Sequence, residues 1–347
     1  MNKELLFGKT LKELESVVLE NALPKFNGKQ IAEWLYKKHV LAIDDMTNLS
    51  KKTRELLNEK YEVGRTLPNS VQESVDGTKK YLFHANQGKF IEVAYMPERE
   101  RNTLCVSSQV GCKMGCLFCM TARQGFSGQL TAGEIVNQMA SLPERDTLTN
   151  VVYMGMGEPL DNIEQVLKSI EIITSEWGYG WSPRRINVSS IGVLPGLQRL
   201  IEESEAHVAI SLHNPFHEER SRIMPIESVY TAEKVVDMLK HYDWSHQRRV
   251  SFEYIMFQGV NDTPRHIKGL LSLLNGVKCR LNLIKFHNIP DSPLKGSDHS
   301  TMEWFRDQLT QKGIMTTIRR SRGEDIYAAC GLLSTKKLMQ PKEESDY

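Results

Sequence analysis

Three closely spaced cysteines are the residues of this chain that point most directly to chemistry. Cys112, Cys116 and Cys119 follow the strand-like run LCVSSQV in the pattern Cys-x-x-x-Cys-x-x-Cys. A structural zinc site or an electron-transfer cluster takes four protein ligands, whereas this run has no fourth cysteine or histidine at ligand spacing. Three thiolates on an iron-sulfur cubane would leave one iron open to a small molecule. The alternative is that the three cysteines are buried in a core or bind zinc.

A second pattern, GMGEP at residues 155–159, follows the apolar run NVVYM. Gly155 and Gly157 at the end of a strand let the backbone approach a ligand closely, and the sites of strand-helix barrels lie at strand ends. No Gly-Lys-Ser/Thr follows, which disfavours a phosphate loop, and a dinucleotide fingerprint would need glycine in place of Leu160. The pattern therefore predicts a ligand-binding turn of another kind.

The elements that must position these residues alternate between strands and helices. Beyond Thr103 this alternation predicts an α/β fold, with a parallel sheet and helices outside it, as a full or partial barrel or as an open sheet. The strand-like runs are LCVSSQV, NVVYMG, INVSSIG, HVAISLH, RVSFEYIM, CRLNLIKF and MTTIRR, and the helical segments include AGEIVNQMASL, IEQVLKSIEII and AEKVVDMLKHY.

The regions before and after this core have different patterns. The first sixty residues place apolar side chains at helical spacing among many lysines, which predicts a small helical module. From residue 71 to 95, short alternating runs around Asp76-Gly77 predict a hairpin followed by a third strand. The polar C-terminal residues predict a mobile tail. The predicted organisation is a helical and hairpin region at 1–95, a core at 96–333 and a tail at 334–347.

Composition limits the compartment and the partners. The chain has 347 residues, 40% hydrophobic and 25% charged, with a formal net charge of +1. It has no apolar run of membrane length, no apolar secretion signal at its start, and too few cysteines for a disulfide scaffold, so we expect a cytoplasmic protein without membrane contact. Its net charge neither supports nor excludes RNA binding, which would need a local basic patch. Candidates are the lysines of the first module and Arg184, Arg185, Arg319, Arg320 and Arg322.

Five segments, taken together with the cysteine pattern, resemble a known family. They are TLCVSSQVGC at 103–112, QGF at 124–126, GMGEP at 155–159, SLH at 211–213 and DIYAACG at 325–331. The cysteine pattern resembles the radical S-adenosylmethionine (SAM) superfamily, and the combination resembles the dual-specificity methyltransferases of adenine C2 in 23S rRNA and tRNA. The resemblance implies a radical SAM partial (β/α) barrel with an N-terminal helical module and a β-hairpin. Met120 and the SGQL segment at 127–130 depart from the family pattern.

The resemblance implies two cofactors. Cys112, Cys116 and Cys119 would hold a [4Fe-4S] cluster, which cleaves SAM to a 5'-deoxyadenosyl radical. The SAM site would comprise Gly157, Glu158, Ser189, Ser211, Leu212, His213 and Asn288. For the individual serines and His213, an ordinary structural role is the alternative. The implied partners are 23S rRNA, tRNA and a small electron donor such as flavodoxin. The chain would be a monomer whose region 1–95 docks RNA.

The resemblance also gives roles to three residues outside these motifs. Adenine C2 is electron-poor and does not attack an electrophilic methyl group, whereas a carbon radical can add to it. In the implied route Cys330 is methylated, its methyl group becomes a radical that adds to C2, Glu92 accepts the C2 proton, and Cys105 releases the product by forming a disulfide with Cys330. Taken singly, both cysteines would be core residues and Glu92 an exposed strand residue. Cys279 matches no motif and is predicted to lie in the core.

Two alternative functions remain open from the sequence. The related adenine-C8 methyltransferases are one, although Pro159 in GMGEP favours the C2 type. A non-catalytic iron-sulfur or RNA-binding protein that retains the fold is the other. The presence of Cys105 and Cys330 in addition to the cluster pattern argues for full chemistry.

Overall fold

Strands and helices alternate along the structure, a computed structural model that describes residues 3–85, 88–244, 250–290 and 292–335. The strands are β1 (Glu4–Leu5), β2 (Tyr61–Glu62), β3 (Ser70–Glu73), β4 (Lys79–Ala85), β5 (Lys89–Pro97), β6 (Asn102–Cys105), β7 (Gln109–Gly111), β8 (Phe126–Gln129), β9 (Asn150–Tyr153), β10 (Ile186–Ser190), β11 (His207–Ser211), β12 (Val250–Met256), β13 (Cys279–Lys285) and β14 (Met315–Arg319). The helices are α1 (Leu11–Glu20), α2 (Phe26–Tyr36), α3 (Lys51–Lys60), α4 (Met120–Gln124), α5 (Ala132–Ala140), α6 (Ile163–Thr174), α7 (Leu194–Glu203), α8 (His217–Ile223), α9 (Ala232–Lys240), α10 (Pro264–Leu273) and α11 (His299–Gln311). None of the helices in these ranges is long and apolar enough to cross a membrane. The predicted tail lies outside the described residues from position 336 onward.

Parallel strands make up most of the central sheet. In spatial order they are β6, β9, β10, β11, β12, β13 and β14, and each pairs in parallel with its neighbour. Every one of them overlaps a predicted strand-like run, which confirms the α/β fold. The runs are rich in apolar residues because most positions of the inner strands are buried; in β12, for example, six of the seven residues are. Within the described ranges β14 and β3 are the unpaired edges of this ten-stranded sheet, so the barrel is partial.

Three antiparallel strands extend the same sheet on the side of β6. β5 pairs with β6, with Ala94 opposite Cys105, and β4 and β3 follow outward. The turn between β3 and β4 contains Gly77 at φ +81°, a conformation that favours glycine, and it confirms the predicted hairpin. The predicted division at residue 95 falls inside β5, so the hairpin and the core share one sheet.

Helices α1, α2 and α3 form the predicted N-terminal helical module. α1 begins with a capping box in which Thr10 and Glu13 each bond the other's backbone amide. Its apolar face around Leu14 is buried in the same hydrophobic core as the barrel strands. Lys168 of α6 donates to Glu13 across the contact at 2.6 Å. The module therefore packs directly onto the barrel.

The run LCVSSQV is divided between two elements, although its pattern predicts one strand. β6 ends at Cys105, and β7 pairs with β8 in a separate two-stranded sheet. Between them the Ser107 amide donates to Gln138 Oε1 at 2.7 Å, and the Ser107 hydroxyl donates to the carbonyl of Glu92 at 2.7 Å. Because these partners replace strand partners, the chain turns here and carries the cysteine loop away from β6.

Candidate active site

One cavity lies at the carboxyl ends of the parallel strands, where barrel enzymes bind their ligands. The strand ends, the cysteine loop between β7 and α4, and the segment after β14 enclose it. Ten predicted site residues line it: Cys105, Cys112, Cys116, Cys119, Gly157, Glu158, Ser189, Ser211, His213 and Cys330. The other three, Glu92, Leu212 and Asn288, do not.

The three cysteines of the spaced pattern share this cavity. Cys119 is the N-terminal cap of α4. Gly111 begins the loop at φ +74°, and a Cβ there would lie 1.7 Å from the carbonyl oxygen of Gly125, so only glycine fits. Burial raises the pKa of Cys112 to about 12 and also raises the pKa values of Cys116 and Cys119. As free groups these cysteines are therefore protonated thiols at neutral pH.

The surroundings of the three thiols fit an iron-sulfur cluster. The Phe118 ring packs edge-on against His213, with ring centroids 4.8 Å apart, and tilted against Phe257, which gives the loop an apolar wall. The three-sulfur donor set suits a cluster with one free position better than it suits zinc.

The GMGEP turn follows β9 and closes the cavity beside the cysteines. Gly157 has φ +99°, and a Cβ on it would come within 2.4 Å of the Gln109 Cβ, so the glycine makes room for β7 as well as for a ligand. The Glu158 carboxylate accepts hydrogen bonds from the amides of Leu160 and Ile191, both at 3.0 Å. Burial raises the pKa of Glu158 to about 7. Its side chain is thus fixed by the backbone at the cavity wall.

The SLH segment at the end of β11 contributes two cavity residues and one core residue. Ser211 and His213 line the cavity, while Leu212 is buried in the core. His213 has φ +57°, and its Nδ1 accepts from the Ile255 amide at 3.0 Å. Burial lowers the pKa of His213 to about 3. His213 is therefore a neutral imidazole whose proton is on Nε2, where it can donate to a ligand.

Arg220 of α8 fixes the ends of the strands that carry the predicted cofactor residues. It is fully buried, and its guanidinium donates to the carbonyls of Ser211, Leu212 and Ile191 at 3.0, 2.8 and 3.1 Å. It also forms an ion pair with the buried carboxylate of Glu227. Sequence reasoning missed Arg220, because its partners come together only in the folded chain.

Glu92 and Asn288 lie outside the cavity. Glu92 of β5 is 6% exposed, so the alternative of an exposed strand glutamate is wrong. Its carboxylate forms an ion pair with Lys80 at 3.0 Å and accepts from the Ser334 amide at 2.8 Å. Both of its oxygens are thus engaged, and its role as proton acceptor stays a prediction. Asn288 is exposed in the loop after β13.

Cys105 and Cys330 meet at the cavity although they lie at opposite ends of the core sequence. Cys105 ends β6, and Cys330 lies in the segment after β14. Both are free thiols, so the implied disulfide is absent from this structure. Burial raises the pKa of Cys105 to about 12, and the nearby charge of Arg319 offsets only part of this rise. Cys105 is therefore a thiol at neutral pH, and it must lose its proton before it can act as a nucleophile. Cys279 packs at the edge of the core, as predicted.

The N-terminal hairpin holds the segment that carries Cys330. The Asp325 carboxylate accepts from the Ser74 hydroxyl at 2.5 Å and from the Val75 amide at 3.2 Å. In the opposite direction, Asp76 Oδ2 accepts from the Gly323 amide at 3.1 Å. The hairpin therefore helps to position the cavity, in addition to any contact with RNA.

Two family models match parts of the chain. The model of the Radical SAM superfamily matches residues 106–271, and that of the ribosomal RNA large subunit methyltransferase N-terminal domain matches residues 5–63. Among solved structures, a radical SAM methyltransferase from Sphaerobacter thermophilus is similar with a TM-score of 0.89 and 36% identity, covering 95% of this chain and 99% of that one. The fold and the cysteine-lined cavity thus define a radical SAM enzyme.

Relatives of known description identify the family within this class. A Bacteroides fragilis protein described as "Probable dual-specificity RNA methyltransferase RlmN" is 58% identical over 346 residues, 100% of this chain and 99% of its own. A "Dual-specificity RNA methyltransferase RlmN" from Syntrophus aciditrophicus is 41% identical over 97% of this chain and 98% of its own. The chain belongs to the RlmN family of radical SAM RNA methyltransferases, and its cofactors are a [4Fe-4S] cluster and SAM.

Proposed function

We propose that this chain methylates C2 of adenine in 23S rRNA, in the peptidyl-transferase region, and in tRNA next to the anticodon. The observation that carries the proposal is that Cys105 and Cys330 open onto the same cavity as the three cysteines of the loop. A carrier thiol is needed because C2 cannot take a methyl group by polar transfer, and a second thiol is needed to release the product. The descriptions of the relatives support RNA as the substrate.

The proposal places each cofactor on one part of the cavity. Cys112, Cys116 and Cys119 hold the cluster, which when bound supplies the electron that cleaves SAM. The residues proposed for SAM are Gly157, Glu158, Ser189, Ser211 and His213 in the cavity wall, together with Leu212 and Asn288, which do not line the cavity. Their chemistry suits this ligand, since the Glu158 carboxylate can accept from an ammonium group and His213 can donate from Nε2. Arg220 holds the strand ends on which two of the serines lie.

The remaining residues act on the methyl group and on the base. Cys330 accepts a methyl group at sulfur, and the methylene carbon derived from it bonds to C2 of the adenine. The Cys105 thiolate then attacks the sulfur of Cys330, so that the disulfide forms as the bond from that sulfur to the methylene carbon breaks. The carbon keeps the electron pair of that bond and takes up a proton, which makes it the methyl group of the product. The carbon radical formed from the methyl group on Cys330 would also react with water or with neighbouring groups. The target adenine must therefore leave its stack and enter a cavity that is closed to water. Glu92, the proton acceptor that the resemblance implies, would have to leave Lys80 and Ser334 to reach the base.

The proposed reaction is tested by the modified nucleosides of cellular RNA. In 23S rRNA and tRNA from cells with and without this gene, mass analysis is expected to find 2-methyladenosine only when the gene is present. Finding 8-methyladenosine instead would establish the C8 alternative. Finding neither, with purified reduced protein that does not cleave SAM, would establish the non-catalytic alternative.

We propose that region 1–95 docks RNA. The match of residues 5–63 to a ribosomal RNA methyltransferase domain supports this role, as do the exposed lysines of the helical module, among them Lys29, Lys37 and Lys52. Deleting the module would expose its shared core with the barrel, so charge reversal is the cleaner test. Arg184 and Arg185 precede β10, at the end of the barrel away from the cavity, whereas Arg319, Arg320 and Arg322 line the cavity itself.

Reversing the three lysine charges is expected to weaken RNA binding. If Lys29→Glu, Lys37→Glu and Lys52→Glu together remove three phosphate contacts, the slope of log affinity against log salt becomes shallower by roughly 2, and affinity at low salt falls roughly tenfold or more. A filter-binding titration at several salt concentrations measures both. The matched control reverses Lys234, Lys240 and Lys268, which are exposed on α9 and α10 and give the same change in net charge. An equal loss in both variants would contradict docking by the module.

We further propose a small flavodoxin-type electron donor and a monomeric enzyme in the cytoplasm. All six cysteines are free thiols, which suits a reducing compartment. A reducing compartment also keeps Cys105 and Cys330 available for another turnover.

A further inference from the structure

The cysteine loop has an exposed side that faces away from the cavity. Between positions 112 and 117, residues that line the cavity alternate with exposed residues that do not, and the exposed ones are Lys113, Gly115 and Leu117. Phe126 of β8 lies beside them, with the Lys113 ammonium group 5.5 Å from its ring centroid. Leu117 is 42% exposed and Phe126 is 41% exposed. These four residues form the outer face of the cysteine loop.

A single layer of residues separates this outer face from the proposed cluster ligands. Lys113 is bonded to Cys112, and Gly115 and Leu117 are bonded to Cys116. Because consecutive Cα atoms are only about 3.8 Å apart, each of these exposed residues begins one step along the chain from a ligand. On its other sides the cavity is enclosed by the strand ends and the segment after β14, and its open part must admit the adenine. The loop is therefore the part of the wall through which a bound protein can deliver an electron.

The chain around the cysteines has no acidic residue. Residues 101–133 include no Asp or Glu, although the whole chain has 43 of them. Lys113 forms an ion pair with Asp161 at 2.7 Å, but the lysine side chain is 52% exposed and the aspartate only 17%, so the ammonium group faces solvent. Lys89 places a second ammonium group in β8, where it donates to the carbonyl of Ser127 at 2.8 Å. The outer face therefore offers positive charge around an apolar centre, which complements an acidic partner.

This combination suits a protein partner better than it suits RNA. Affinity for RNA comes mainly from several cations that contact phosphates, whereas the outer face is centred on Leu117 and Phe126. An exposed apolar patch with a charged rim is typical of protein contacts. Complexes that transfer electrons are brief and have some of the smallest protein interfaces, so a patch of this size is sufficient.

We infer that the outer face of the cysteine loop is the docking site of a small acidic electron-carrier protein. The inference rests on the proposed function, in which the cluster needs one electron to cleave SAM and a flavodoxin-type protein supplies it. In the transfer the carrier is oxidised by one electron and the cluster is reduced by that electron, and no bond forms between the two proteins. Lys113 attracts the carrier, and Leu117 and Phe126 hold its redox group against the loop.

Flavodoxin and dithionite as alternative reductants separate docking from the chemistry of the site. Dithionite is a small ion that needs no docking face, whereas flavodoxin must bind before it transfers an electron. The test variant of the reconstituted enzyme combines Lys113→Gln with Leu117→Ser. The matched control combines Lys312→Gln with Met315→Ser, which also removes one exposed lysine and one exposed apolar side chain, but at the amino end of β14, opposite the cavity.

We expect the test variant to bind flavodoxin roughly tenfold more weakly or worse, with a smaller dependence on salt, because it lacks an attracting charge and an apolar contact. Titrations at several salt concentrations measure this binding. Cluster reduction by low concentrations of reduced flavodoxin should slow by a similar factor. Iron content, SAM cleavage with dithionite and RNA binding should equal those of the unaltered enzyme, and the control should equal it in every measurement.

Hydrogen exchange tests the same face without any substitution. In the unaltered holoenzyme, flavodoxin should protect the backbone amides of residues 113–117 and 126–129. Protection confined to other parts of the chain would overturn the inference. If the test variant loses iron, this measurement decides by itself.

Failure of the chemistry and failure of docking give different results. Unaltered enzyme that does not cleave SAM even with dithionite would contradict the proposed function. If dithionite drives cleavage, three results would overturn the inference alone: no binding of flavodoxin to the unaltered enzyme, normal binding by the test variant, or an equal loss in the control. Normal flavodoxin binding together with weaker RNA binding by the test variant would assign the outer face to RNA instead.

Discussion

Replacing Cys112, Cys116 and Cys119 together by Ala is expected to reduce bound iron from about four atoms per chain to nearly none. The three thiols line one cavity, and no other cysteine lies in the loop that presents them. Without the cluster no electron reaches SAM, so reductive SAM cleavage should fall to the rate without enzyme. Iron and sulfide analysis after anaerobic reconstitution, the visible absorption of the cluster, and the yield of 5'-deoxyadenosine measure these losses.

Cys279→Ala is the matched control for this variant. Cys279 is partly buried at the start of β13, packs at the edge of the main core and does not line the cavity. Its replacement removes one thiol from the chain and should leave iron content and SAM cleavage unchanged. A triple variant that still shows a normal cluster spectrum would remove the three cysteines from the role of ligands.

The strands of the barrel could be predicted because the burial of most of their positions leaves short runs rich in apolar residues. RVSFEYIM and HVAISLH read as strands without any knowledge of their neighbours, and they form β12 and β11. LCVSSQV has the same pattern but forms two elements. The buried Ser107 takes its partners from Gln138 and from the backbone of Glu92, which the local pattern does not show.

The predicted cavity residues came from short motifs, whereas the missed residues depend on distant partners. Cys112 stands out because it begins the pattern Cys-x-x-x-Cys-x-x-Cys, and Gly157 stands out because it lies within GMGEP. Glu253 lies in an apolar run like any strand residue, and its place in the cavity wall becomes apparent only when β11 and β13 align beside it. Arg220 is equally inconspicuous, because it bonds carbonyls of two strands that precede it.

The predicted division at residue 95 shows a further limit of sequence patterns. A change from alternating runs to strand-helix units marks a change of local structure, but it does not show whether two regions share a sheet. β5 joins the hairpin to β6, and the hairpin bonds the segment that carries Cys330 through Asp325. Region 1–95 therefore contacts the segment that carries the methyl carrier, although the sequence patterns separate the two.

Cys330→Ala is expected to abolish RNA methylation without forming any protein–RNA adduct. It removes the proposed carrier of the methyl group, so no methyl group can reach the base. Cys330 is exposed at the cavity, and its replacement removes little packing, so cluster content should stay normal. Methylation of a target RNA with isotope-labelled SAM, together with a denaturing gel, measures both results.

Cys105→Ala should fail in the opposite way, by holding the RNA on the enzyme. The carrier remains, so methylation of Cys330 and addition to adenine proceed, but no thiol is left to form the releasing disulfide. Cys105 packs among Ala94, Val152 and Ala328, so Ala leaves only a small gap, and Cys105→Ser, nearly equal in size, repeats the test without one. A denaturing gel should show a nuclease-sensitive band of protein with bound RNA in both Cys105 variants. Such a band with Cys330→Ala, or its absence with Cys105→Ala despite continued SAM turnover, would contradict the two roles.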